Sequence, residues 1–404
     1  MPAKTQATEL STRSRSGDTD EASPRHTWRD AVAGSLFHTG ALRILQAFTR
    51  YYEFSGGNGR RLQLSRRDAH PKFLVLCYHR IGTNGIPLFS ELPPAMFEAQ
   101  MRYVRRRYRV LSLDDLCEEM ENPSRKGDAV AVTFDDGYRD LHTHALPVLR
   151  KYQIPATIFL PVACIETGQV PWYDRIFLAL KVFPKDELNI DLDRPRSFQL
   201  FSLRARLETA TEIIQYLRTL PDDRRREYCA AMEEQISLPQ DELKDRMLTW
   251  DQVRAMGREG ITFGSHTMTH PVVSQLTESQ MDRELGESKR ALEQRIGSPT
   301  AHFAYPFGQP ADCGTTALPF LVRHGYRSAS TTVEGVNEPR DNAYRLRRSQ
   351  VGNERRISMF AFRLNQLFLS PGTPDSATSI PAVALVPGGH VAESDPQRPR
   401  ASNA

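Results

Sequence analysis

The sequence predicts an α/β chain folded as a (β/α) barrel of about seven strands, interrupted by a helical insertion. Three observations predict it. From Phe73 onward, short continuous apolar runs alternate with helical patterns. Runs without polar alternation are the mark of parallel strands covered on both faces. The alternation halts from about Glu166 to Leu248 and then resumes. Finally, there is no Gly-rich phosphate loop and no internal repeat, which favours a barrel over an open dinucleotide-binding sheet.

Taken in order, Phe73 to Tyr78 reads as a buried strand, and Phe97, Met101 and Val104 mark the helix after it. Ala129 to Phe134 is the next strand, followed by a helix carrying Leu141, Ala145, Leu146 and Leu149, and then the strand Ala156 to Leu160. In the insertion, Ile176, Leu180 and Phe183, then Leu207, Ala210, Ile214 and Leu217, then Tyr228, Met232 and Ile236 repeat at helical spacing, with no convincing strand. Thr249 and Gln252 have capping-box spacing ahead of the strand Ile261 to Gly264. A second box, Thr277 with Gln280, opens a helix through Met281, Leu285, Leu292 and Ile296 that Gly297 is placed to stop. Further strands are expected at His302 to Tyr305, Tyr326 to Thr331 and Tyr344 to Val351.

The ends read differently. Residues 1–29 are polar, of mixed charge and without apolar periodicity, as expected of a disordered leader; residues 370–404, rich in Pro, Gly, Ser and Ala, are expected to be a disordered tail. Residues 30–71 hold an amphipathic helix and a linker, with Phe37, Ala41, Ile44, Leu45 and Phe48 on one face. That helix would either pack on the main domain, residues 72–369, or lie on a membrane surface through residues 32–50.

Composition narrows the function classes. With 39% hydrophobic and 25% charged residues, 24 Gly and 27 Pro in 404, the chain is neither collagen-like nor a multispanning membrane protein. The net charge of +4 and two short separated basic triplets, Arg105 to Arg107 and Arg224 to Arg226, favour a solvated surface; no nucleic-acid partner is expected. Five scattered cysteines without a CxxC suggest neither a disulfide framework nor a cysteine zinc site. The first 30 residues lack the apolar run of a secretory signal, and no transmembrane stretch is evident. The expected location is therefore cytoplasmic, or peripheral at the cytoplasmic membrane face.

Four constellations could carry chemistry. Asp135-Asp136-Gly137 follows an apolar strand, where β/α folds keep their active sites, although such a triplet alone also makes an ordinary turn. Two adjacent carboxylates repel when both are ionised and desolvated, so a metal or a proton is expected nearby. His266 and His270, in Gly264 to Pro271, are four apart and meet if that segment makes one helical turn. Tyr305-Pro306-Phe307-Gly308 closes an aromatic strand, either as a plain exit or as a pocket wall with a backbone N–H aimed at developing charge. Tyr78-His79-Arg80 ends the first strand, where His79 is either a rim residue or a catalyst. Together, carboxylates and paired imidazoles offer the mixed oxygen and nitrogen set that borderline divalent metals bind.

The order Thr133-Phe134-Asp135-Asp136-Gly137, then His266-Thr267-Met268-Thr269-His270, then Tyr305-Pro306-Phe307-Gly308 resembles the polysaccharide deacetylase family, the NodB-homology or carbohydrate esterase 4 group. The resemblance covers roughly Lys72 to Val351, apart from the insertion. It implies a deformed (β/α) barrel with one divalent cation on Asp136, His266 and His270; zinc is the expected ion, with cobalt, nickel and manganese compatible. It implies Asp135 as the general base for the attacking water and the Phe307 N–H as oxyanion donor, with Tyr305 and Pro306 in the pocket wall. Ala304 stands where the family often has an Arg that orients the catalytic Asp, so the base needs another orienting group. No late Leu-x-His motif supplies a general acid. Some members that act on poly-N-acetylglucosamine resemble a circular permutation with the His on an early strand in a Tyr-His context. Tyr78-His79 fits that arrangement and makes His79 the candidate acid.

The resulting expectation is a metal-dependent hydrolase that removes N-acetyl groups from N-acetylhexosamine units of a polysaccharide, such as an exopolysaccharide, or of its lipid-linked precursor. Trp172 and Tyr173, directly after a barrel strand, could stack on sugar rings or pack in the core. The alternatives are a hydrolase of another amide or ester, and a catalytically impaired saccharide-binding protein on the same barrel.

Overall fold

The computed structural model describes residues 70–83, 91–123, 127–236, 246–352 and 356–370. The leader, the 32–50 helix and the tail beyond Ser370 lie outside the described residues.

Strand β1 (Phe73–Tyr78) is followed by α1 (Pro94–Arg107), the short β2 (Arg109–Val110), α2 (Leu113–Glu121) and β3 (Ala129–Phe134). A π-helical turn at Leu141–Ala145 leads into α3 (Leu146–Tyr152), then β4 (Ala156–Leu160) and α4 (Val162–Thr167). The segment before the next barrel strand holds α5 (Trp172–Val182), the hairpin β5 (Glu187–Asp191) and β6 (Pro195–Gln199), α6 (Leu203–Leu217) and α7 (Asp222–Gln235). The barrel resumes with α8 (Trp250–Arg258), β7 (Ile261–Ser265), α9 (Glu278–Met281) and α10 (Ser288–Ile296), then β8 (His302–Ala304), α11 (Pro310–Cys313) and α12 (Ala317–Arg323). It ends with β9 (Ser328–Ser330), β10 (Arg348–Gln350) and α13 (Ile357–Leu369).

Seven strands form one path in the order β10-β1-β3-β4-β7-β8-β9, every pairing parallel, with β2 added beside β3. A parallel bridge between Ser330 and Leu346 brings the two ends of the path together, so the sheet is a nearly closed, deformed barrel. Both expected capping boxes form, at Thr249 and Thr277, and Gly297 ends α10 in the left-handed conformation. No helix among the described residues is long and apolar enough to cross a membrane.

The insertion departs from expectation in one respect. Its three helices form where the helical spacing puts them, but Glu187–Asp191 and Pro195–Gln199 pair as an antiparallel hairpin. These strands cover only one face, with Leu188 buried between exposed Glu187 and Asn189, and polar residues alternate with the few apolar ones. A polar two-stranded ribbon lacks the continuous apolar run that betrays the barrel strands.

Side-chain alternation sorts β1 and β3 into two layers. Phe73, Val75, Ala129 and Ala131 share an interior cluster with Phe159, Ala304 and Leu346, closed by Leu113, Leu116, Cys117 and Met120 of α2. Leu74, Leu76, Tyr78, Val130, Val132 and Phe134 face outward into the helices. Gly264 permits the interior packing: a Cβ there would come within 2.5 Å of the Phe159 ring and 2.8 Å of the His302 carbonyl oxygen. Following the inward parity of β3 past Ala131 and Thr133 leads to Asp135, at the carboxyl end of the barrel.

Candidate active site

Asp135 is anchored by its own backbone, whose N–H donates to Tyr78 O at 2.9 Å. Its carboxylate meets Arg348 of β10 in a two-pronged pair, Nη1 to Oδ1 and Nη2 to Oδ2, both 2.7 Å. Arg348 is itself fully buried, donates from Nε to Thr331 O at 2.7 Å and lies over the Phe159 ring. Burial disfavours the Asp135 carboxylate, but the Arg348 guanidinium, seconded by His266, overrides it and holds the acid well below the usual carboxylate range. This pair answers the need left by Ala304: the orienting guanidinium comes from the last strand of the barrel.

Asp136 follows with φ 71°, which turns its side chain away from that of Asp135. Burial pushes its pKa up too, yet His270 and the neighbouring imidazoles hold it below the ordinary carboxylate value. Its Oδ1 lies 3.3 Å from His270 Nε2 and 3.6 Å from His266 Nε2.

The two histidines meet, but not through a helical turn. After β7 the chain forms a loop with Thr267 at φ 69° and His270 at φ 59°, and the rings come to 4.7 Å at 80°. Buried Glu284 holds the loop, accepting from the N–H groups of Met268 and Thr269 at 2.9 Å each and from Thr269 Oγ1 at 2.8 Å. Arg226 of α7 reaches both Glu284 and Thr269. His266 Nδ1 donates to Ala304 O at 2.7 Å, because a carbonyl can only accept; its Nε2 lone pair therefore faces Asp136. Burial pushes the His266 imidazole down to about 4, so it is neutral at pH 7, the form that binds metals.

The residues fit a divalent ion. The ligand atoms of Asp136, His266 and His270 lie within 4.8 Å of one another, and Asp136 Oδ1 is buried with no hydrogen-bond partner. One carboxylate and two imidazoles suit zinc and its neighbours in the first transition row. Cys77, His79 and Asp135 make a second such group beside the first, but Arg348 already occupies both oxygens of Asp135. Half-buried His79 thus stands next to Asp135, on the side served by β1.

Of the third motif, Tyr305 packs outward with Phe303 and Tyr326, and Pro306 is buried. Phe307 reaches the site: φ is 60°, its ring lies 5.1 Å from that of His270, and its N–H finds no backbone acceptor among the described residues. Gly308 follows at φ 69°, where a Cβ would stand 2.8 Å from the Thr332 nitrogen. Four of the six non-glycine residues with positive φ among the described residues are Asp136, Thr267, His270 and Phe307, so backbone strain gathers at this place.

Trp172 and Tyr173 are brought to the site but enclosed, at 7% and 1% exposure. Trp172 Nε1 donates to His270 O at 2.9 Å, its ring lies under Arg225, and both rings contact Phe307. Protein neighbours thus occupy faces that a sugar would need. Trp172→Ala is expected to loosen His270 and weaken metal binding roughly 10- to 100-fold, as loss of a supporting bond to a ligand does, measured by competition with a chelating dye. Unchanged metal affinity with weakened saccharide binding would instead support stacking.

The sequence does not single out Arg348 or Glu284, and it offers Arg225 and Arg226 only as part of a solvated basic triplet, whereas Arg225 is buried, paired with Asp222 and set over the Trp172 ring. A signal for Arg348 existed: Leu346 faces the barrel interior, and the residue two places on must face the same way.

A family model for polysaccharide deacetylase matches residues 122–186 and 209–329. The match takes in both aspartates, both histidines and the Tyr305 motif, and leaves out β1 with His79 and β10 with Arg348. A curated Bacillus subtilis (strain 168) protein, YxkH, whose name places it provisionally among polysaccharide deacetylases, is 23% identical over 284 residues, 69% of this chain and 71% of YxkH. The solved structure of the Streptococcus pyogenes deacetylase PplD in complex with acetate aligns over 75% of this chain and all of that one, at 20% identity and a TM-score of 0.50, which speaks to the fold. With three motifs in order at strand ends, a matching family model and a matching fold, the chain belongs to the polysaccharide deacetylase family.

Proposed function

We propose that the chain is a metal-dependent N-deacetylase acting on N-acetylhexosamine units of a polysaccharide or its lipid-linked precursor, with the ion on Asp136, His266 and His270. The observation that carries this is Asp136 Oδ1, a buried carboxylate oxygen without a partner that faces two imidazole nitrogens. When bound, a divalent ion polarises the amide carbonyl and makes water a stronger acid.

The chain's own groups do the rest. Asp135, kept ionised and aimed by Arg348, takes a proton from the water whose oxygen forms the new C–O bond. The Phe307 N–H donates to the carbonyl oxygen as it gains negative charge. His79 gives a proton to the nitrogen as the C–N bond breaks, so acetate and a free amine leave. Trp172, Tyr173 and Phe307 wall off one side of the histidine pair from water.

The test is acetate released from a panel of N-acetylated glycans by protein stripped with a chelator and then reloaded with zinc, cobalt, nickel or manganese. Stripping is expected to abolish release and at least one ion to restore it. Release that persists after verified metal removal would overturn the metal assignment, and silence across the panel with metal bound would favour a saccharide-binding protein.

A further inference from the structure

The corner between α6 and α7 of the insertion leans over the third motif. Arg218, which ends α6, sets its guanidinium carbon 4.4 Å from the centroid of the Phe307 ring, a cation–π contact. The same guanidinium donates from Nη2 to both carboxylate oxygens of Asp312, at 2.8 Å each. Its Nε is buried and has no hydrogen-bond partner among the described residues, so the ring and Asp312 are its anchors. In α7, Arg225 lies 4.8 Å from the Trp172 ring, and Trp172 in turn contacts Phe307.

Asp312 ties this contact to the backbone beyond Gly308. Its Oδ2 accepts from the Gln309 N–H at 3.0 Å, part of the capping box that opens α11. Arg218 therefore grips the exit of β8 at two points, the Phe307 side chain before Gly308 and the Gln309 N–H after it. Thr332 holds the carbonyls between, with Oγ1 donating to Phe307 O at 2.5 Å and N donating to Gly308 O at 2.9 Å. The barrel thus secures the carbonyl side, and the insertion secures the ring and the next amide.

The segment needs such a grip because it is strained. Phe307 sits at φ 60° and Gly308 at φ 69°, a left-handed pair in which only the glycine is at ease. Another residue keeps that conformation only where its surroundings over-determine it. If φ of Phe307 relaxes to a negative value, the peptide plane between Pro306 and Phe307 turns, and its N–H swings off the carbonyl oxygen. Loss of the hold on the ring therefore misdirects the donor without removing any metal ligand.

We propose that Arg218 is a positioning residue for the reaction: through the Phe307 ring and Asp312 it keeps the Phe307 N–H aimed at the oxygen that gains charge. The proposal rests on the deacetylase reading above, with the Phe307 N–H as oxyanion donor.

Arg218→Met keeps the length of the side chain and removes the charge, the stack on the ring and the bonds to Asp312. Two readouts are taken on metal-loaded protein. One is kcat and KM for acetate release from the most reactive glycan of the panel. The other is the Phe307 amide signal in protein carrying nitrogen-15-labelled phenylalanine, assigned by its loss in Phe307→Leu. The variant is expected to move or broaden that signal and to lower kcat about 10- to 100-fold, the cost of an ångström-scale misplacement, with KM changed less than about two-fold. Metal affinity, read by competition with a chelating dye, should stay as in the unaltered protein, which separates a misaimed donor from a loosened ligand set. Arg218→Lys, which keeps the charge on Asp312 but not the flat stack, should recover part of the rate.

An unmoved Phe307 signal, an unchanged kcat, or a metal affinity that falls with the rate overturns the proposal and spares the activity. No acetate from unaltered, metal-loaded protein overturns the deacetylase reading. A Phe307 signal that still moves in Arg218→Met then upholds Arg218 as the residue that aims this N–H, and one that does not move overturns both.

Discussion

Asp135→Asn is expected to lower acetate release by about two to four orders of magnitude, the usual worth of a positioned general base, while the protein still binds one equivalent of metal. The amide has the shape of the carboxylate but cannot take the proton. It also leaves the fully buried Arg348 without its counter-charge, and breaking one side of a buried ion pair costs about 3–5 kcal/mol. Denaturant unfolding should therefore show a marked loss of stability beside the loss of rate. Asp135→Asn combined with Arg348→Met should recover much of that stability and none of the rate, since replacing both partners removes the stranded charge. Retained turnover in well-folded, metal-loaded Asp135→Asn protein would move the base elsewhere.

Arg348→Met should be nearly as damaging, for the opposite electrostatic reason. Asp135 now sits below the ordinary carboxylate range, although burial pushes it up, because Arg348 outweighs the burial. Such a group contributes stability above its unfolded pKa, and that contribution is lost as pH falls through the lower folded value. Without Arg348 the burial dominates and the folded pKa rises above the unfolded one. Stability then favours low pH and is lost as pH climbs, and the acid limb of the rate profile moves upward. Arg348→Lys, which keeps charge but not the fork, should shift the limb less and still lose rate through poorer aim. The comparison is a pair of kcat/KM profiles against pH; an unmoved acid limb in Arg348→Met would show that Arg348 does not govern the ionisation of Asp135.

The barrel strands were legible because their burial on both faces leaves unbroken apolar runs, as in Ala129 to Phe134. The site was partly legible for the same reason: Asp135 stands directly beyond such a run, and His266 directly beyond the shorter, more mixed strand Ile261–Ser265. The hairpin at Glu187–Gln199 was hidden by its polar composition, and the loop joining His266 to His270 by its left-handed residues, which no spacing rule reveals. Arg348 follows Arg347 and opens a three-residue strand, too short for a pattern of its own; only parity with Leu346 separates it from its neighbours. Long-range partners such as Arg226 with Glu284 are consequences of packing and have no local signature.

The first strand of the barrel lies between the third and the last, with Val75 opposite Arg348. Such a pairing, separated by most of the domain, closes slowly during folding and cannot form until synthesis has passed the final strand. Residues for the metal would already be present in a nascent chain ending after β9, but the group that ionises and aims the base would not. If the proposed reaction holds, a fragment truncated before β10 should therefore hold metal yet release no acetate.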